Sequence, residues 1–105
     1  MPDQNQQQNI NIKISDDVLR GQYANMMMVA HTQEEFILDF MNVVPPTGVV
    51  SARIITSPGH LKRIIAALSD NLKKYESQFG VVKQAPAPTN QEIGFFARGE
   101  SAPKN

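Results

Sequence analysis

Two histidines, a scatter of carboxylates and one Ser-Pro-Gly junction are the groups from which this chain could build chemistry. His31 precedes Glu34 and Glu35, and Asp39 follows a few residues on. An imidazole and two carboxylates would do general acid–base work, or hold a divalent metal, if they converged on one point. The plainer role for His31 is a strand-end residue beside a polar turn. His60 follows Ser57 by three positions. A Ser/His pair becomes a nucleophile only with an orienting third group and oxyanion donors, and neither accompanies it here. Ser57 reads instead as a helix cap. Free amides at that helix start, with Lys62 and Arg63 close by, could receive an anion. Pro58 removes one donor, however, and no glycine-rich phosphate loop is present. The absence of cysteine excludes disulfides, thiolate metal sites and cysteine nucleophiles. The sequence therefore predicts no catalytic residue, no metal and no cofactor.

Charge narrows the partner classes. Lysines plus arginines equal aspartates plus glutamates at 10 each, so the formal net charge is zero. A partner held by bulk charge, whether nucleic acid or an anionic membrane surface, is disfavoured. No apolar run approaches the ~20 residues of a membrane span. The stretch 1–9 is rich in Gln and Asn and lacks the charged and apolar regions of a leader, so a cytoplasmic setting is expected.

Four stretches read as strands, and the first of them alternates strictly. Residues 9–15 set Ile10, Ile12 and Ile14 against Asn11, Lys13 and Ser15, the pattern of a half-buried edge strand. Val18, Leu19 and Arg20 then lead to Gly21, a turn or bulge. Residues 22–31 form the second predicted strand and carry Met26, Met27 and Met28. Thr32, Gln33, Glu34 and Glu35 make a hairpin connection to a third strand over 36–44. Pro45, Pro46, Thr47 and Gly48 stop that strand, with Gly48 supplying positive φ. The fourth strand covers 49–56.

The stretch 57–80 predicts one long helix. Ser57 is a good N-cap, and Pro58 suits the first helical position. Leu61, Ile64, Ile65, Leu68, Leu72, Tyr75 and Phe79 fall on one face. Lys62, Arg63, Asp70, Lys73, Lys74 and Glu76 fall opposite, and Asp70 can pair with Lys73 and Lys74. Gly80 ends the helix, and Val81 is expected to pack back on its last turn. Helix and ten-residue strand are both about 33 Å long, so the helix could cover a sheet. The predicted fold is α+β: a four-stranded antiparallel β-meander with one long C-terminal helix packed on one face. The domain spans 10–81, between a disordered 1–9 and a flexible Pro-containing tail over 82–105.

One helix covers one sheet face, yet the strands carry apolar residues on both. Met27, Val29, Ile37, Asp39, Met41, Arg53 and Ile55 are the candidate interface on the second side. An uncovered apolar face of several hundred Å² is unusual for a monomer, and a domain of about 70 residues is marginal alone. A homo-oligomer is expected. Asp39 lies in an otherwise apolar strand and is paired in expectation with Arg53 as a cross-strand ion pair. Ile93, Gly94, Phe95 and Phe96 form an apolar island in the tail that could dock a protein partner. Lys13, Arg53, Lys62 and Arg63 are the candidate contacts for an anion or a nucleic acid.

HTQEEFILDF (31–40), ARIITSPGHLKRIIAAL (52–68) and NLKKYESQFG (71–80) together resemble a small bacterial family of unassigned function. The resemblance covers about two thirds of the chain and implies no functional residue. Four antiparallel strands followed by a helix is also similar, in topology alone, to the repeat of Pur-alpha and Whirly-type single-stranded nucleic-acid binders. Such proteins need stacking aromatics and basic residues on an open sheet face. Tyr23, Phe36, Phe40, Arg53 and Lys13 are available for that. The expected function is a non-enzymatic homo-oligomeric interaction or scaffold protein. A single-stranded nucleic-acid-binding module is the alternative, and a small-ligand sensor or enzyme the third reading.

Overall fold

The computed structural model describes residues 9–94. Five elements follow one another: α1 (Asp16–Arg20), β1 (Met26–His31), β2 (Phe36–Val44), β3 (Thr47–Thr56) and α2 (Pro58–Phe79). The three strands form an antiparallel sheet in the order β1-β2-β3.

Local chemistry explains where each element begins and ends. The Thr32 hydroxyl accepts hydrogen bonds from the Glu34 and Glu35 amides at 3.2 and 3.1 Å, closing the β1–β2 turn. Pro45 and Pro46, joined by a cis peptide, are the whole connection between β2 and β3, since Val44 already faces Thr47 across the ladder. Neither proline has an amide to offer, and at a hairpin tip none is required. Gly48 therefore lies within β3, without positive φ. What it supplies is room: a Cβ there would stand 3.1 Å from Val43 Cγ2 and 3.3 Å from Val43 Cα. The expectation that Gly48 makes a turn is corrected accordingly.

α2 is capped as its sequence demands. The Ser57 hydroxyl accepts from the His60 amide at 3.1 Å, and Pro58 follows in the first turn. At the far end Gly80 takes φ 98° and ψ 167°, a region that essentially only glycine occupies, and donates its amide to the Glu76 carbonyl at 2.9 Å. Val81 does not pack back on the helix; it is exposed. Val82 is the residue that returns, donating its amide to the Glu76 carboxylate at 2.8 Å.

Two larger expectations are corrected. The predicted edge strand over 9–15 is absent: among the described residues the segment joins no ladder. It ends at Ser15, which caps α1 by accepting from the Val18 amide. The long helix is not packed on a sheet face. No residue of α2 is buried, and its contacts with the strands are marginal. Among the described residues the buried apolar side chains are Leu38, Met41 and Val43, all on β2. They are buried because β2 is the central strand, flanked on both sides.

Candidate interaction surface

Cross-strand partners share a face, and the register assigns each predicted site residue to one. Met28, Asp39 and Arg53 form one row, and Ala30, Ile37 and Ile55 the next row on that face. Met41 lies on the same side, paired with Met26 and Val50. The opposite face holds the row Val29, Leu38, Ile54 and the row Met27, Phe40, Ala52. Of the candidate interface, Ile37, Asp39, Met41, Arg53 and Ile55 thus come together, while Met27 and Val29 stand on the other face. A bulge at Ser51 shifts the β2–β3 register between Phe40 and Met41, so that Val50 stands opposite Met41.

Asp39 and Arg53 form the expected pair. Arg53 Nε donates to Asp39 Oδ1 at 2.7 Å and Nη2 donates to Oδ2 at 2.9 Å, a two-pronged geometry suited to a guanidinium. The Asp39 side chain is buried while that of Arg53 remains half-exposed. The hydrogen bond from Arg53 lowers the Asp39 pKa below the usual carboxylate value; partial desolvation opposes this and the nearby positive charge adds to it. The same hydrogen bond, with the carboxylate charge, raises Arg53 above its already high value. A guanidinium so engaged is a fixed feature of the sheet face.

The other predicted cations stand apart. Lys13 lies on the exposed lead-in, and Lys62 and Arg63 are exposed on α2. Lys74 pairs with Asp70 at 3.3 Å, one helical turn away. His31 packs its ring against Phe36, centroids 5.3 Å apart. Ser57 and His60 meet as cap and capped amide. Among the described residues, no three of His, Asp and Glu converge as metal ligands, and no helix is long and apolar enough to cross a membrane. Ile93 is half-buried; Phe95 and Phe96, the rest of the tail's apolar island, lie outside the described residues.

Sequence reasoning missed one anchoring group. Asn25 clamps Val43: its Oδ1 accepts from the Val43 amide at 2.8 Å and its Nδ2 donates to the Val43 carbonyl at 2.9 Å. The side chain mimics one more residue of ladder. An asparagine just before a strand was the available signal, but only the register shows its partner.

Uncovered apolar surface dominates this molecule. Ile65, Leu68, Leu72, Tyr75 and Phe79 on α2 are each between 49% and 66% exposed. Met27, Met28, Val29, Val50, Ile54 and Ile55 are exposed on the sheet. The chain presents 9910 Å² in total, against roughly 5,900 Å² for a compact monomer of this mass. Counting every residue outside 9–94 at the rate of an unfolded chain still leaves about 1,700 Å² above the compact value for the remainder. An obligate dimer covers roughly 1,000–2,500 Å² on each partner. The surplus falls in that range.

Fold and surface together define an α+β protein in which a three-stranded antiparallel meander and a long capped helix both carry unburied apolar faces. The model of a family described as "Protein of unknown function (DUF3467)" matches residues 1–84, and the chain belongs to that family. No curated protein and no solved structure matches the chain. The topological likeness to Pur-alpha and Whirly-type binders finds no support. Among the described residues three strands precede the helix instead of four, and Phe36 and Phe40 are half-buried on the face of Leu38.

Proposed function

We propose that the protein is a non-enzymatic interaction module that works as a homo-oligomer, with the apolar stripe of α2 and the sheet faces covered by further copies of itself. The observation that carries this reading is the α2 stripe: seven apolar positions on one face of a 22-residue helix, none of them buried. Propensity and capping alone do not hold an amphipathic helix with nothing against its apolar face.

Magnitudes support a partner of substantial area. Covering the exposed remainder of Ile65, Leu68, Leu72, Tyr75 and Phe79 is worth roughly 1 kcal/mol or a little more per side chain. Two helices packed stripe to stripe would gain about 12 kcal/mol. Association itself costs an estimated 4–15 kcal/mol. Helix pairing alone therefore comes close to break-even, and the sheet surface has to contribute as well. The cytoplasmic setting and the absence of an enzymatic role belong to this same reading.

Light scattering on the full chain tests it. The expected result is a mass at a multiple of 11.7 kDa at micromolar concentration. A folded monomer at that concentration refutes the proposal. A gel shift with single-stranded DNA or RNA at low salt tests the alternative, and no shift is expected.

A further inference from the structure

The lead-in over residues 9–15 poses a problem that its own chain does not solve. Its isoleucines alternate with polar residues as an edge strand's do, yet it belongs to no helix and no strand. Ile10 is 82% exposed, Ile12 87% and Ile14 55%. Among the described residues, no backbone hydrogen bond from a strand reaches the segment. An alternating apolar strand left in water gains nothing from its pattern, whereas a sheet edge would satisfy both its backbone and its isoleucines.

The sheet has a matching need. With the order β1-β2-β3, β3 is an open edge ten residues long. It carries Val49, Val50, Ile54 and Ile55 exposed across its two faces, and its one cation, Arg53, is tied to Asp39. Natural edges are short, charged, bulged or covered. Here one bulge at Ser51 interrupts the strand, and the rest of the row of donors and acceptors is open.

The chain just before β1 reaches across to β3. Asn25 is clamped to Val43 of β2, and two residues earlier the Tyr23 carbonyl accepts from the Ser51 hydroxyl of β3 at 3.5 Å. The chain has thus crossed β2 before it reaches Gly21, whose φ of 77° turns it into α1. Residues 9–15 lie beyond α1 and are exposed.

We propose that residues 9–15 of one copy add as an antiparallel edge strand to β3 of a second copy, reciprocally, so that two meanders exchange their N-terminal strands. The edge strand that the sequence predicts over 9–15 is then supplied between chains. This rests on the homo-oligomeric reading above and assigns the segment and the edge that build it. A two-fold arrangement fits, because the same arm and the same edge appear once in every copy.

Hydrogen exchange on the full chain, read at the amides of 10–15 alongside the mass, tests the exchange directly. The expected result is an oligomer in which alternate amides of this segment exchange at least tenfold slower than unstructured chain, with protection lost on dilution as the mass falls. An oligomer whose 10–15 amides exchange at the unstructured rate overturns the strand exchange and leaves the homo-oligomer standing. Protection that persists in the monomer also overturns it, since the segment would then dock on its own chain. A monomer at every concentration overturns both readings. The edge is read separately by single cysteines, which this cysteine-free chain accepts without background. Oxidation of a mixture of Asn11→Cys and Val49→Cys chains is expected to give the mixed cross-link, whereas cross-linking of Asn11→Cys to Val29→Cys on β1 instead overturns the assignment to β3.

Discussion

Leu68→Ala separates a covered helix stripe from a bare one. Leu68 is 66% exposed in the single chain and sits in the middle of the α2 stripe. On a bare surface the substitution is close to neutral, within about 0.5 kcal/mol, and alanine's helix propensity tilts it slightly towards stability. In a packed interface the same change deletes three carbons from an apolar core and costs about 2–5 kcal/mol per side chain. Urea denaturation followed by circular dichroism, at protein concentrations spanning two decades, distinguishes the two. The expected outcome is a midpoint that rises with concentration for the wild type and falls by an interface-sized amount for Leu68→Ala. Lys73→Ala, on the opposite side of the helix, is the control and is expected to change little. A Leu68→Ala chain within 0.5 kcal/mol of wild type, with no concentration dependence in either, would refute the reasoning.

Four further predictions concern the sheet. Asp39→Ala and Arg53→Ala are expected to be non-additive in a double-mutant cycle, because their two hydrogen bonds are shared; additive losses would contradict the pairing. The Asp39 pKa is lower in the folded chain than unfolded, so its contribution is fully present above the unfolded carboxylate value of about 3.9 and is lost as pH falls through the lower folded value. Stability measured from pH 6 downwards should show this acid loss, and Asp39→Asn should flatten it. Gly48→Ala is expected to cost about 1–3 kcal/mol, since its Cβ would press on Val43 Cγ2 and the Val43 backbone, and an unchanged melting temperature would remove the close-approach argument. Asn25→Ala strips the Val43 amide and carbonyl of their partner and should cost about 1–3 kcal/mol; Asn25→Asp, which can replace only the acceptor, should recover part of that loss.

Much of the fold is legible where local chemistry decides it. β2 and α2 follow from strict apolar spacing, from Ser57 and Gly80 at the helix ends, and from the prolines that close the β2–β3 hairpin. α1 was missed although its signal is local: Ser15 as N-cap, Asp16 and Asp17 in the first turn, Arg20 in the last and Gly21 beyond. What failed elsewhere was the step from pattern to partner. The alternation of Ile10, Ile12 and Ile14 says that a strand edge is wanted, and the stripe from Leu61 to Phe79 says that cover is wanted. Neither says from which chain the cover comes. The sheet faces show the same limit: apolar character alone groups Met27 and Val29 with Asp39, whereas the pairing Met28↔Asp39↔Arg53 puts them opposite. The ion pair was readable because two charges in apolar strands have few other ways to be satisfied.

The most direct test of the central claim is the mass of the full-length chain by light scattering, taken down a dilution series with far-ultraviolet circular dichroism on the same samples. The account predicts a multiple of 11.7 kDa that falls on dilution together with the helical signal, because the described residues leave most of the α2 stripe exposed. A constant 11.7 kDa with undiminished helix at every concentration would contradict it.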